Sequence, residues 1–141
     1  MTVYNETMDN YESFTLSNTV EEYDRLMDVL NEKNSLWEIP QKIQNRIYIV
    51  IDEVVSNIIN YSGATQIKVE YGVKKGEYIY AAFHDNGMAY NPFDTKAPDL
   101  TASAEEREMG GLGVFMIKRM TKESEYEYKD NWNIFRMTFQ L

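Results

Sequence analysis

The most constraining feature of this sequence is a long apolar helix pattern that begins near Pro40 and ends before Ser62-Gly63. Isoleucine and valine recur at helical spacing over more than half of the circumference, which predicts a helix buried on more than one side. Glu53, Asn57 and Asn60 interrupt the pattern. At about 100° per residue these three share roughly 60° of arc. Polar groups beside a core need solvent, a neighbouring strand or a ligand as partner.

Length and composition limit the classes of protein to which the chain can belong. Its 141 residues suffice for one domain, and 43% hydrophobic with 13% aromatic residues argue against disorder. The net charge of −9 disfavours binding to nucleic acid or an anionic membrane. We expect no signal peptide, and no apolar run approaches about 18 residues. The absence of cysteine suits a reducing cytoplasm. We therefore expect a single cytoplasmic domain over residues 1–141.

Periodicity predicts the order strand, helix, helix, two strands, lid, helix, two strands. A loose lead-in over 1–11, a connector over 34–39 and a lid over 92–110 separate these elements. The expected elements are a strand at 11–16, helices at 20–33 and 40–61, a hairpin at 67–73 and 78–84, a helix from 114, and strands at 124–129 and 132–141. Helices gathered against a mostly antiparallel sheet make an α+β two-layer sandwich.

Two further polar motifs interrupt the core pattern. In Asp85-Asn86-Gly87, the Asp85 carboxylate closes an apolar row and could accept a hydrogen bond from an exocyclic amine such as that of adenine. Gly87 could then let the backbone approach the base, although the same tripeptide is common in tight turns. The glycine motif at 110–113 precedes an apolar helix, where backbone N–H groups can hold phosphate. A flexible connector has the same composition, so the residues alone leave both alternatives open.

A triphosphate in such a pocket requires a divalent cation, because backbone amides do not neutralise its charge. Mg²⁺ takes one or two oxygen ligands from protein, and the amide of Asn57 is suitable. Glu53, one helical turn earlier, could accept a proton from an attacking hydroxyl or water. His84 is the only histidine and lies within a strand pattern. Zinc binding and a serine-hydrolase triad are therefore disfavoured.

Together the three motifs resemble the nucleotide-binding fold shared by gyrase, heat-shock chaperones of the ninety-kilodalton class, histidine kinases and mismatch-repair ATPases, known as the Bergerat or GHKL fold. EVVSN from Glu53 to Asn57 resembles the N box, and DNGMAYNP from Asp85 to Pro92 resembles the first glycine box. EEREMGGLG from Glu105 to Gly113 resembles the lid end and second glycine box. Over residues 12–141 the sequence is most similar to the small anti-sigma-factor serine/threonine kinases.

The resemblance implies a mixed, mostly antiparallel sheet covered on one face by helices, and it implies roles for individual residues. Glu53 would be the general base and Asn57 the Mg²⁺ ligand. Asp85 would recognise adenine, with Gly87 beside the base. Six further positions would contribute to nucleotide binding: Asn91, Arg107, Gly110, Gly111, Leu112 and Gly113.

The resemblance also implies an activity and partners. These are ATP- and Mg²⁺-dependent phosphorylation of an anti-sigma-factor antagonist, sequestration of a sigma factor, and a homodimer, with no nucleic-acid or membrane partner. A second hypothesis is a nucleotide-responsive protein-binding module without kinase activity. A histidine-kinase catalytic domain is disfavoured, since His84 lies in a strand and we expect no dimerisation helix before the domain. Asn60 and Thr121 depart from the family pattern, in which a basic or histidine side chain and an acidic side chain, respectively, are common.

Overall fold

The computed structural model of the protein describes residues 8–94 and 111–141. The strands are β1 (Asn10–Ser17), β2 (Gln66–Lys74), β3 (Tyr78–Asp85), β4 (Glu123–Lys129) and β5 (Trp132–Gln140), and the helices are α1 (Val20–Leu36), α2 (Gln41–Asn57) and α3 (Gly111–Met120). A π turn (Ile58–Ser62) continues α2, and a 3₁₀ turn (Pro92–Asp94) follows β3. Strand β1 starts within the predicted lead-in, whereas most of the predicted lid lies outside the described residues.

The five strands form one sheet in the order β1-β2-β3-β5-β4. All four pairings of the described strands are antiparallel, which corrects the expectation of a mixed sheet. Strands β3 and β4 do run in the same direction, but β5 inserts between them and pairs with both. The predicted α+β two-layer sandwich is confirmed.

One face of the sheet packs against the helices and forms the core. Because side chains alternate along a strand, every second residue of β2, β3 and β5 points towards the helices. The side chains that are at most 1% exposed on these strands include Ile67, Val69, Tyr71, Ile79, Phe83, Met137 and Phe139. Ile47 and Ile51 of α2 are completely buried against them, as the apolar pattern predicts. Within the described residues, no helix is both long and apolar enough to cross a membrane.

Helix α1 begins at its predicted cap and extends past its predicted end. The Thr19 hydroxyl accepts a hydrogen bond from the N–H of Glu22 at 3.2 Å, which closes the first turn. Asn34, expected in a connector, is a buried residue of α1. Its amide donates to the Tyr48 hydroxyl at 3.2 Å and accepts from the Tyr71 hydroxyl at 2.7 Å. These bonds satisfy the buried amide and allow the helix to continue.

Helix α2 changes geometry where the sequence predicts an unbroken helix. After Asn57 the chain forms the π turn, which ends at Gly63 in the left-handed conformation at φ 67°. The Ser62 hydroxyl donates to the Ile58 carbonyl at 2.9 Å and accepts from the N–H of Ala64 at 3.1 Å. A π turn has more residues per turn than an α-helix, so residues beyond Asn57 rotate away from their helical-wheel positions. Asn60 accordingly becomes an exposed residue.

The opposite face of the sheet carries a polar cluster around Glu70. His84 Nε2 lies 2.7 Å from Glu70 Oε2, and the Tyr11 hydroxyl donates to the same carboxylate. The His84 bond, followed by the Tyr11 bond, lowers the pKa of Glu70 to about 2 against the effect of burial. The histidine is thus bonded to Glu70 on the face of the sheet away from the helices.

Candidate functional site

Helix α2 supplies the first side of the site. Asn57 is buried, at 9% exposure, and its side chain hydrogen-bonds to the Glu53 carboxylate. Since an ionised carboxylate only accepts, the Asn57 amide nitrogen donates and its oxygen remains as an acceptor. Burial is the main cause that raises the pKa of Glu53; the Asn57 bond opposes it and Asp52 adds to it. Glu53 is therefore a partly desolvated carboxylate.

Strand β3 supplies the second side through Asp85, whose 5% exposure is low for a carboxylate. Its Oδ1 accepts from Asn133 Nδ2 at 3.0 Å and from the Gly87 N–H at 3.1 Å. Burial raises the pKa of Asp85, while bonds from Asn133, Gly87 and Ser62 oppose that rise. The predicted apolar row with a terminal carboxylate is present, since Phe83 precedes Asp85 on the same face of the strand.

A cavity joins the two sides. The empty volume of this cleft, counted out to the solvent at its mouth, is about 430 Å³. Its walls are mostly aliphatic and aromatic, and Asn57, Ser62, Asp85 and Asn133 are the polar members of the lining. The apolar lining consists of Val54, Ile58, Phe83, Tyr90, Pro92, Ile117, Tyr126 and Phe135. An apolar cleft with a few convergent polar groups is the usual form of a small-molecule site.

Gly87 has a demonstrable steric role outside this lining. A Cβ atom built on Gly87 would overlap the backbone carbonyl of Ser62 in the π turn. The next residue, Met88, donates its N–H to the same carbonyl at 2.7 Å. Glycine at this position therefore allows the loop after β3 to pack against the end of α2, which sets the mouth of the cavity.

Asn91 also lies beside the lining that the described residues form. Its Oδ1 accepts the N–H of Phe93 at 2.8 Å and so starts the 3₁₀ turn. Its neighbours Tyr90 and Pro92 both line the cavity. Asn91 thus shapes the wall through the backbone. Asn60, displaced by the π turn, is exposed.

The glycine motif begins helix α3. Gly111 is the first residue of the helix, and Leu112 and Gly113 complete its first turn. A first turn offers backbone N–H groups without helical partners. Gly113 lies against Glu53, because a Cβ atom there would overlap the Glu53 carboxyl group. The structure therefore brings the N box and the second glycine box together. Two predicted nucleotide-binding positions lie outside the described residues: Arg107 and Gly110.

Asn133, which sequence reasoning missed, organises the polar end of the cavity. It is 4% exposed and lies directly opposite Asp85 in the sheet. Besides Asp85, its Nδ2 donates to the Met88 carbonyl at 2.7 Å. Its Oδ1 accepts the Tyr90 N–H at 3.0 Å and the Tyr126 hydroxyl. An asparagine on the inward face of an otherwise apolar strand was the available signal.

Aromatic contacts, also missed, form the rim of the cavity. Tyr61 of the π turn stacks on Tyr90 with ring centroids 5.2 Å apart. Phe93 packs on Phe135 at 5.6 Å, and the Lys118 ammonium lies 5.1 Å from the Phe93 ring centroid. Contacts of these kinds each add of order 0.5–1 kcal/mol beyond area burial. They hold the loop after β3 against α2 and α3.

Comparison with known proteins agrees with this arrangement. A family model for the histidine kinase-like ATPase domain matches residues 16–139. The serine/threonine-protein kinase BtrW of Bordetella bronchiseptica is 32% identical over 54 residues, which are 38% of this chain and 38% of that protein. That match thus spans well under half of the relative. The family model, in contrast, includes all of α2, β3 and α3. The chain therefore belongs to the histidine kinase-like ATPase domain family.

Proposed function

We propose that the protein is an ATP- and Mg²⁺-dependent serine/threonine protein kinase that acts as an anti-sigma factor. It would phosphorylate an antagonist protein, sequester a sigma factor and form a homodimer. The observation that carries the proposal is the meeting of Asp85 and Asn57 in one cavity, with Glu53 one helical turn away. The name of the relative BtrW, a serine/threonine-protein kinase, supports the phosphoryl acceptor. The motif resemblance supports the sigma factor and the antagonist.

Asp85 would hold the adenine of ATP. Two donors, Asn133 and Gly87, already occupy its Oδ1. Oδ2 therefore keeps acceptor capacity for the exocyclic amine of the base. Phe83 and Phe135 provide apolar walls of the cavity that suit the faces of a purine. Because Asp85 is buried, a competing oxo group at the amine position would place two acceptors together and bind poorly.

Asn57 would hold the cation. Within the described residues, no group of three or more acidic, histidine or cysteine side chains is placed to bind a metal alone. Mg²⁺ bound to a nucleotide needs only one or two protein oxygens, since phosphates and water complete its shell. The Asn57 amide oxygen, left as an acceptor by the bond to Glu53, fits that requirement. When bound, Mg²⁺ would neutralise charge on the phosphates.

Glu53 would act as the base. It would accept the proton of the serine or threonine hydroxyl while that oxygen bonds to the γ-phosphorus. The bond from this phosphorus to the bridging oxygen of ADP would break, and ADP would leave. Burial raises the pKa of Glu53 above its ordinary value, which makes it a stronger base. The base form is needed, so the transfer rate should increase as pH rises through this raised pKa and then level off.

The test is phosphoryl transfer from radiolabelled ATP to a panel of candidate antagonist proteins. The wild type should label a serine or threonine of one antagonist. Glu53→Gln should reduce the transfer rate by roughly 10²-fold or more, the usual contribution of a general base, and leave ATP affinity nearly unchanged. Absence of ATP binding to the wild type would refute the proposal. ATP binding without transfer to any antagonist would favour a nucleotide-responsive binding module.

A further inference from the structure

Gly113 shares its space with the candidate base. A Cβ atom built on Gly113 would overlap Oε1 and Cδ of Glu53 and would come too close to its Cγ. Gly113 lies in the first turn of α3 and is buried. The carboxyl group of Glu53 therefore occupies the volume that any other residue at position 113 would fill.

Backbone conformation does not explain a glycine at this position. Gly113 lies inside α3, and the described glycines with positive φ are Gly63 and Gly76. In an ordinary helix, alanine is favoured over glycine by roughly 0.5–1 kcal/mol. Glycine at position 113 therefore makes α3 less stable than alanine would. The close contact with Glu53 explains why a glycine is nevertheless present.

We propose that Gly113 is a positioning residue that reserves the space in which the Glu53 carboxylate is held. The second glycine box would thus fix the position of the base, in addition to any contact with phosphate. The kinetic part of this inference rests on the proposed kinase function, whereas the placement of the carboxylate can be tested without it.

Gly113→Ala should displace the base and preserve the fold. The Glu53 side chain is partly exposed, so rotation about its Cα–Cβ bond moves Cγ and the carboxyl group out of the overlap. That rotation also removes the hydrogen bond from Asn57. A catalytic group misplaced by about 1 Å can lose roughly 10² in rate. We therefore expect a fall in kcat of roughly 100-fold in Gly113→Ala.

The decisive kinetic measurement is a double-mutant cycle with Glu53→Ala. Alanine removes Cγ and the carboxyl group, which are the atoms that a Cβ at position 113 would overlap. Gly113→Ala should therefore cost less than about 3-fold in the residual kcat when residue 53 is alanine, against roughly 100-fold when it is glutamate. Equal losses in both backgrounds would overturn the inference. They would show that Gly113 acts on the phosphates alone.

A second measurement follows the hydrogen bond to the carboxyl group in the nucleotide-free protein. NMR of the Asn57 side-chain amide protons should show an upfield shift and faster exchange in Gly113→Ala, because their hydrogen bond to Glu53 is lost. Unchanged amide signals would refute the displacement. If the wild type transferred no phosphate, the proposed function would fail and this measurement would still decide the inference.

A folding control completes the design. Should Gly113→Ala fail to fold, Gly113→Ala combined with Glu53→Ala separates the causes by circular dichroism. Recovery of the fold in the double variant would locate the conflict at Glu53, as the inference requires. Failure of the double variant to fold would overturn it.

Discussion

The most informative single change is Asp85→Asn, because it separates recognition from folding. Asparagine has the shape of aspartate and retains one carbonyl oxygen. That oxygen can still accept from Asn133 Nδ2 and from the Gly87 N–H, which now bond to Asp85 Oδ1 at 3.0 and 3.1 Å. These two hydrogen bonds are therefore conserved. What the variant loses is the second carboxylate oxygen and the negative charge.

The expected loss in nucleotide affinity follows from that second oxygen. An amide NH₂ group would replace Oδ2 and would meet the exocyclic amine of adenine, donor against donor. A hydrogen bond to a charged group contributes about 1.5–3 kcal/mol, which corresponds to roughly 10–150-fold in the dissociation constant. Asp24→Asn removes the same charge at an exposed position of α1 that does not line the cavity, and it should leave affinity unchanged.

Asp85→Asn should weaken nucleotide binding, but it should increase the stability of the fold relative to that of the wild type as pH rises. Burial raises the pKa of Asp85 above its ordinary 3.8, so the folded protein binds a proton more tightly than the unfolded chain. Wild-type stability from this group is therefore greatest below pH 3.8 and is lost as pH rises through the folded-state pKa. Asparagine does not titrate. As pH rises across this window, the free energy of unfolding of the variant should therefore increase relative to that of the wild type.

Calorimetry with ATP and Mg²⁺ tests the predicted loss of affinity. Urea unfolding between pH 3.5 and neutrality, at intervals of roughly one pH unit, tests the predicted change in stability. Wild-type affinity in Asp85→Asn would refute the assignment of this carboxylate to adenine. A stability difference that does not change with pH would refute the burial argument. Loss of affinity in Asp24→Asn as well would point to general electrostatics instead.

Two further changes test the structure around the site. Glu70→Gln should lower the free energy of unfolding at neutral pH by about 1–2 kcal/mol, a value reduced to allow for partial exposure of the carboxylate. Bonds from His84 and Tyr11 hold the pKa of Glu70 at about 2 in the folded protein, against 4.5 ordinarily. The difference between variant and wild type should therefore vanish as pH falls through this range. Urea unfolding at both ends of that range measures it, and a pH-independent loss would contradict the argument that hydrogen bonds to the Glu70 carboxylate lower its pKa. Gly87→Ala should cost about 1–3 kcal/mol, since its Cβ would overlap the Ser62 backbone. Unchanged unfolding by urea would exclude that close approach.

Periodicity predicted most of the fold because its signals are local. The alternation in β2 and the apolar spacing of α2 each depend on neighbours within a few residues. Of the residues predicted from the same signals, Asn57 and Asp85 line one cavity, and the Glu53 carboxylate accepts a hydrogen bond from Asn57. Helical spacing places Glu53 beside Asn57, and strand alternation fixes the face on which Asp85 lies.

The features that sequence reasoning missed depend on contacts distant in the chain. Asn133 reaches Asp85 only because β5 inserts between β3 and β4, a strand order that no local pattern specifies. The π turn after Asn57 depends on the Ser62 hydroxyl and on the loop after β3 packing against it. The helical wheel could not register that extra residue per turn, and it therefore placed Asn60 with the functional pair.

The two buried carboxylates share one physical cause and differ in their partners. Burial raises the pKa of both. Three hydrogen-bond donors oppose the rise in the pKa of Asp85, whereas one donor opposes the rise for Glu53 and the charge of Asp52 adds to it. A carboxylate held by several donors is fixed in position, which suits recognition of a base. A carboxylate with fewer donors and a partly exposed side chain can accept a proton and release it. Under the proposed function, the difference in partners assigns recognition to the sheet and proton transfer to the helix.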